Sequence, residues 1–281
     1  MNPSTDLTLA LWQTAYAADG PAALRALDDA AAQARAQGAD VLVCPEMSLT
    51  GYLLGADRIA ALAEPADGPL LQAVAATARR QHIAIVAGWP KATSGRPHNA
   101  VAFVDADGAL LNVCAKTHLF GDGDRAQFTP GPALPTVFSY RGWRLGLLIC
   151  YDVEFPELAR QARARGADIL FVPSCTDDRQ GFHRVRHCCH ARAIEDQVYV
   201  VATHTVGNLP VEWMRGNVGN AAILTPCDVQ FPPGGVQAQG EMNVEQLVVA
   251  ELDLDLLARA RQGGSVRTWQ DRRADLYPLA G

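Results

Sequence analysis

An α/β fold built on mixed sheets is the architecture this sequence predicts, on three grounds. Short apolar runs of strand length alternate with Ala-rich stretches of helical period. Some neighbouring runs are joined by tight turns, as in antiparallel hairpins, and others by helices, as in parallel crossovers. No repeat, low-complexity tract or Pro/Ser-rich linker divides the 281 residues, so one domain spanning 1–281 is expected.

Taken in order, residues 6–13 (DLTLALWQ) alternate as a strand, and 21–37 form an amphipathic helix opening at Pro21. Residues 40–44 (DVLVC) make a short buried strand and 69–81 a second helix. Strands follow at 83–89, 100–105 and 109–115, the last two turning over Asp105 to Gly108. A second hairpin joins 136–140 to 144–149 across Arg141-Gly142. Then come a helix over 156–165, a strand over 168–172 and a helix over 183–196. Strands at 198–204, 221–225 and 247–252 precede a closing helix over 254–261. Two sheets packed face to face, with helices outside, bury all these strands; a three-layer fold fits the periodicity equally well.

Composition narrows the function. The chain is 49% hydrophobic and 19% charged, the balance of a globular enzyme. A net charge of −6 gives a nucleic-acid partner no electrostatic support. Residues 1–20 lack the basic start and apolar run of a secretion signal. No apolar stretch approaches the roughly 20 residues that cross a bilayer, so no membrane association is expected. Seven cysteines, odd in number and scattered, read as reduced thiols, and a cytoplasmic location is the expectation.

Three polar residues stand where core strands should stop. Glu46 follows DVLVCP, Lys116 follows ALLNVCA, and Cys150 ends WRLGLLI. Ligand sites in α/β sheets gather at strand ends, where loops converge over a rigid platform. A thiol attacks a carbonyl only as thiolate, so it needs a base or a cation beside it. Glu46 suits the base, taking the thiol proton and handing it to a leaving amine. Lys116 and the N–H of Tyr151 suit the stabilisation of an oxyanion. Singly, a strand-end cysteine is usually a small buried hydrophobe, and a lone Glu or Lys a solvated loop residue.

Their flanks make the set specific. CPEMSLTGY (44–52), KTHLFGDGDRAQFTPG (116–131) and GLLICYDVEFPELAR (146–160) resemble the three signature blocks of the nitrilase superfamily of carbon–nitrogen hydrolases, in order and spacing. The resemblance covers essentially the whole chain. It implies a four-layer αββα sandwich that dimerises, no cofactor, and a Glu-Lys-Cys triad falling on Glu46, Lys116 and Cys150. It also implies a fourth acidic group supporting the lysine, a glutamate in many members. Here the matching position is Asp124, one methylene shorter.

The blocks look most similar to the amidase branch around 5-aminopentanamidase, which implies hydrolysis of a small linear amide through a thioester. Residues 173–201 and 203–210 resemble a different branch, which includes hydrolase domains fused to acetyltransferases. Nitrile hydrolysis or N-carbamoyl cleavage is the alternative chemistry. A non-catalytic scaffold and an acyltransferase are the others, the latter lacking the transmembrane helices of its membrane-bound relatives.

Tyr52, Phe120, Tyr151 and Glu154 are the candidate substrate contacts. An acid at Glu154 favours a cationic or neutral substrate tail; its structural alternative is a salt bridge or cap at the helix starting near Pro156. His187 to His190 (HCCH) looks like a metal cluster, but adjacent ligands on a helix diverge by about 100°, so no metal is expected. Gly216 to Gly219 lacks the context of a phosphate loop. Arg184, Arg186 and Arg192 read as one basic, solvated or interface helix face.

Overall fold

The computed structural model describes residues 6–208 and 216–277. The first five residues of the segment read for a secretion signal, and Leu209 and Pro210 of the 203–210 block, lie outside them.

Twelve strands among the described residues form two six-stranded mixed sheets. The first holds β1 (Asp6–Gln13), β2 (Val41–Val43), β3 (Ala84–Lys91), β4 (His98–Val104), β5 (Leu110–Ala115) and β12 (Gln246–Asp253), in the order β12-β1-β2-β3-β4-β5. The second holds β6 (Val137–Tyr140), β7 (Trp143–Leu147), β8 (Ile169–Ser174), β9 (Tyr199–His204), β10 (Ala222–Leu224) and β11 (Val236–Gln239), in the order β11-β10-β9-β8-β7-β6. Each has a parallel centre, β1-β2-β3 and β7-β8-β9, flanked by antiparallel strands.

Helices make the parallel crossovers: α1 (Gly20–Ala36) between β1 and β2, α2 (Ala56–Leu62) and α3 (Pro69–Gln81) between β2 and β3, α5 (Pro156–Ala164) between β7 and β8, and α6 (Arg179–Asp196) between β8 and β9. Strand alternation then assigns the faces. Leu7, Leu9 and Leu11 of β1 join Val43, Val86 and Phe103 in the core between the sheets, against Leu145, Ile169 and Phe171. Ala10, Leu42, Ile85 and Ala87 face the opposite way, onto Leu27, Ala31, Leu71 and Val74 of α1 and α3. The result is an αββα sandwich, which resolves the alternative that periodicity leaves open.

Four elements are absent from the sequence reading. The helices α2 and α4 (Gly121–Gln127) are seven residues each, too short to show a period, and α4 (GDGDRAQ) has turn-like composition. Strand β11 is a polar edge strand, VQAQ, and residues 150–154 form a 3-10 turn. Helix α6 also starts earlier than its apolar period suggests, because Asp178 caps it by accepting the Gly181 N–H. A closing helix, α7 (Leu254–Gly263), follows β12. No helix among the described residues is long and apolar enough to cross a membrane.

The reading of Arg184, Arg186 and Arg192 as one solvated or interface face is incorrect. Residues two apart on a helix point in different directions, and here Arg184 is exposed while Arg186 and Arg192 are buried. Arg186 donates to Asn220 and Arg192 to the Val153 carbonyl. Along the same helix His187 is exposed and Cys189 is in the core, so these two do not converge. Gly219 packs on the His204 ring, where a Cβ would come within 2.6 Å of His204.

Candidate active site

The site lies just past the carboxyl ends of β2, β5 and β7, where backbone leaves the two sheets. Glu46 is carried out of β2 by Cys44-Pro45, and its loop folds tightly over β3. Gly88 of β3 permits this, since a Cβ there would lie 2.5 Å from the Met47 nitrogen. The Gly88 carbonyl accepts the Leu49 N–H at 3.1 Å. Lys116 follows β5 and ties back to β4 through its N–H on the Asn99 carbonyl, 2.8 Å. Cys150 begins the 3-10 turn after β7 with φ at +46°, a left-handed conformation that costs a non-glycine residue energy and turns the thiol out of the strand path.

Glu46, Lys116 and Asp124 form a closed charge cluster, each about 1% exposed or less. The Lys116 Nζ donates to Glu46 Oε1 and to Asp124 Oδ2, both at 2.8 Å. Its third contact is the Tyr52 hydroxyl at 3.3 Å, and that hydroxyl donates to Asp124 Oδ1 at 2.6 Å. Asp124 sits on α4, and the helix brings its shorter side chain within reach of the ammonium. The Asp124 carboxylate also accepts the Phe120 N–H at 2.9 Å, fixing the start of α4.

The surrounding groups set the protonation states. Burial raises the Glu46 pKa, with Lys116 opposing and Asp124 adding to the shift. Burial works against the Lys116 charge, but the Asp124 and Glu46 carboxylates override it and raise its pKa well above the ordinary value. Burial and then the Glu46 charge push Cys150 well above a normal thiol, so it rests protonated and needs a base during attack. Its Sγ donates to the Cys175 carbonyl at 3.4 Å, and the Cys175 N–H donates to Glu46 Oε2 at 3.0 Å.

Cys150 lies in a small pocket whose lining includes Tyr52, Phe120, Tyr151, Glu154, Cys175 and Arg184. All four residues singled out as substrate contacts therefore border it. Phe120 packs edge-on to Tyr151, ring centroids 5.4 Å apart. Glu154 borders the pocket, but it neither caps nor pairs with the helix that follows it: its carboxylate pairs with Arg184 of α6 at 3.3 Å, and α5 is left without a side-chain cap. Burial raises its pKa and Arg184 opposes that.

Sequence reasoning missed several partners. The Asp152 carboxylate accepts N–H groups of Thr117, His118 and Ile149, binding the Lys116 loop to the Cys150 turn. Asn99 donates to Glu46 Oε1 at 2.7 Å, and the Tyr16 hydroxyl donates to the Glu46 carbonyl at 2.8 Å. Asp152 stood two residues past the nucleophile candidate as a signal; Asn99 and Tyr16 are distant in sequence and carried none. Among the described residues no three His, Cys, Asp or Glu side chains converge as a metal site.

This fold and constellation define a carbon–nitrogen hydrolase. The family model of that description, carbon-nitrogen hydrolase, matches residues 8–262, and the chain belongs to the family. It is similar to the probable hydrolase YhcX of Bacillus subtilis, 46% identical over 144 residues, which are 51% of this chain and 28% of that protein. It is similar along most of its length to an (R)-stereoselective amidase from Pseudomonas sp., 35% identical over 79% of this chain and 76% of that one. A solved amidase from Nesterenkonia sp. AN1 superposes with a TM-score of 0.78 at 28% identity, covering 98% and 97% of the two chains. That structure carries the acetamide moiety of fluoroacetamide covalently on its active-site cysteine.

Proposed function

We propose that this protein is an amidase that converts a small linear aliphatic amide to carboxylate and ammonia through a thioester on Cys150. The observation that carries the reading is the buried Glu46–Lys116–Asp124 cluster set directly against a pocket-lining thiol. A buried ammonium between two carboxylates has no structural need of a neighbouring cysteine with strained backbone, whereas acyl transfer needs all of them. The covalent adduct on the cysteine of the Nesterenkonia amidase supports the same role for Cys150.

In this mechanism Glu46 takes the Cys150 proton as Sγ bonds to the amide carbon. The developing oxyanion is held by the Tyr151 N–H, which lies in the first turn after the strand, and by Lys116, which gives up its long contact to Tyr52. Glu46 then delivers the proton to the departing nitrogen, releasing ammonia and leaving the thioester. Water, deprotonated by Glu46, attacks the thioester, and the proton returns to the Cys150 sulfur as the acid leaves.

The whole machinery belongs to one carbon–nitrogen hydrolase domain that works without a cofactor as a cytoplasmic homodimer. The seven unpaired cysteines suit that reducing compartment.

Ammonia release from a panel of short amides, nitriles and N-carbamoyl compounds tests the function. Amides such as butyramide are expected to turn over, and Cys150→Ala to abolish turnover with the fold intact. Ammonia release by folded Cys150→Ala refutes the thioester, and selective nitrile turnover refutes the amidase assignment.

A further inference from the structure

We propose that Asn99 is a positioning residue that, with Lys116, saturates one oxygen of Glu46 and so assigns proton transfer to the other. The inference rests on the reading of Glu46 as the base.

A carboxylate offers about four lone-pair sites, two on each oxygen. On Glu46, Oε1 accepts from Lys116 Nζ at 2.8 Å and from Asn99 Nδ2 at 2.7 Å, so both of its sites are engaged. Oε2 accepts from the Cys175 N–H at 3.0 Å and keeps one site open. The Cys150 Sγ is tethered to the carbonyl of that same Cys175. The open site of the base and the thiol that must lose its proton are thus held by a single residue. Protonating Oε1 instead requires breaking a charge-assisted hydrogen bond in a dry site.

Asn99 is built for this task. It lies on β4, is 1% exposed, and supplies none of the reacting atoms. Its amide orientation is dictated by chemistry, since Oε1 can only accept. The orientation leaves Asn99 Oδ1 buried with no hydrogen-bond partner, a costly condition that satisfies Glu46 and not Asn99 itself. Its backbone carbonyl meanwhile accepts the Lys116 N–H. One residue therefore registers the base through its side chain and the ammonium through its main chain.

The pH dependence follows from every group that faces Glu46. Lys116 and Asn99 lower its pKa, and Asp124 and burial raise it. Cys150, Cys175, Tyr52 and Tyr16 surround it as neutral groups whose own pKa values are raised by burial. Removing the Asn99 donor therefore shifts the acid limb of the rate profile upward.

The test uses Asn99→Leu, which deletes the donor at similar volume, and Asn99→Asp, which keeps shape and replaces the donor with an acid. For both, kcat on a neutral amide is expected to fall about 10- to 100-fold, the loss of one hydrogen bond to a charge. KM should change less than about threefold, and the acid limb of kcat/KM should rise by about one pH unit. A folded variant with near-normal kcat and an unmoved acid limb overturns the proposal. So does loss of fold in both variants, which makes Asn99 a structural residue. A parallel readout needs no turnover: iodoacetamide labelling of the Cys150 peptide across pH, followed by mass spectrometry. If the wild type hydrolyses no amide, the amidase reading fails on its own, while an upward shift of the low-pH labelling limb in Asn99→Leu still supports the positioning role and an unmoved limb overturns it.

Discussion

Replacing Asp124 with Asn probes the charge cluster with the least change of shape. Lys116 Nζ stands 2.8 Å from one oxygen of Glu46 and 2.8 Å from one of Asp124, with all three side chains shut off from solvent. Those two oxygens are at most about 5.6 Å apart, and at an effective dielectric of about 20 their charges repel by about 3 kcal/mol. This repulsion is one reason the Glu46 pKa is raised. Asparagine removes it, so Glu46 becomes a weaker base and the acid limb of kcat/KM moves down by about one pH unit or more. The Asn NH₂ also cannot accept the Tyr52 proton, so Lys116 is held less firmly. Together these are expected to lower kcat about 10- to 100-fold. Asp124→Glu keeps the charge and is expected to retain part of the activity with the limb near its wild-type position. Ammonia release followed from acid to neutral pH reads both effects. An acid limb that stays put or rises in a folded Asp124→Asn protein, with kcat unchanged, refutes the electrostatic argument.

Three further outcomes are expected. Lys116→Met leaves two buried carboxylates without a counter-charge, so turnover falls by on the order of a hundredfold or more and chemical unfolding shows a loss of about 3 kcal/mol at neutral pH; near-normal turnover removes Lys116 from the site. Glu154→Gln releases Arg184 from its partner, so the ratio of kcat/KM for an ω-carboxylate amide over an ω-amino amide should rise about fivefold, the worth of a half-exposed charge contact, and should shrink in high salt; an unchanged ratio assigns Glu154 a structural role. His204 is fully buried, and burial lowers its pKa to about 3. The unfolded chain binds a proton there below about 6.5 while the native one does not, so stability is full above that pH and falls by about 1.4 kcal/mol per unit as pH drops toward 3. Urea titrations of wild type and His204→Leu between pH 7 and 5 should show a shallower slope in the variant, and equal slopes refute the assignment.

The sequence by itself determined the apolar strands and long helices, because burial imposes a period of two on one and 3.6 on the other, as in DLTLALWQ and in residues 69–81. It also marked Glu46, Lys116 and Cys150, since ionisable groups at the ends of apolar runs are conspicuous, and the resemblance carried by their long flanks added Asp124. What it left open was every relation between distant segments. The two-sheet packing depends on which face of each strand meets which partner, and periodicity carries no such pairing. Short elements such as α4 are stabilised by their contacts, here Asp124 on Lys116 and on the Phe120 N–H, and so have little local signature. Asn99 illustrates the limit: in HNAVAFV it follows His98 at the start of an otherwise apolar strand, 53 positions from Glu46. Only the packing of β4 beside β3 and β5 brings its amide to the carboxylate, because a hydrogen bond is decided by distance in space and not by order along the chain.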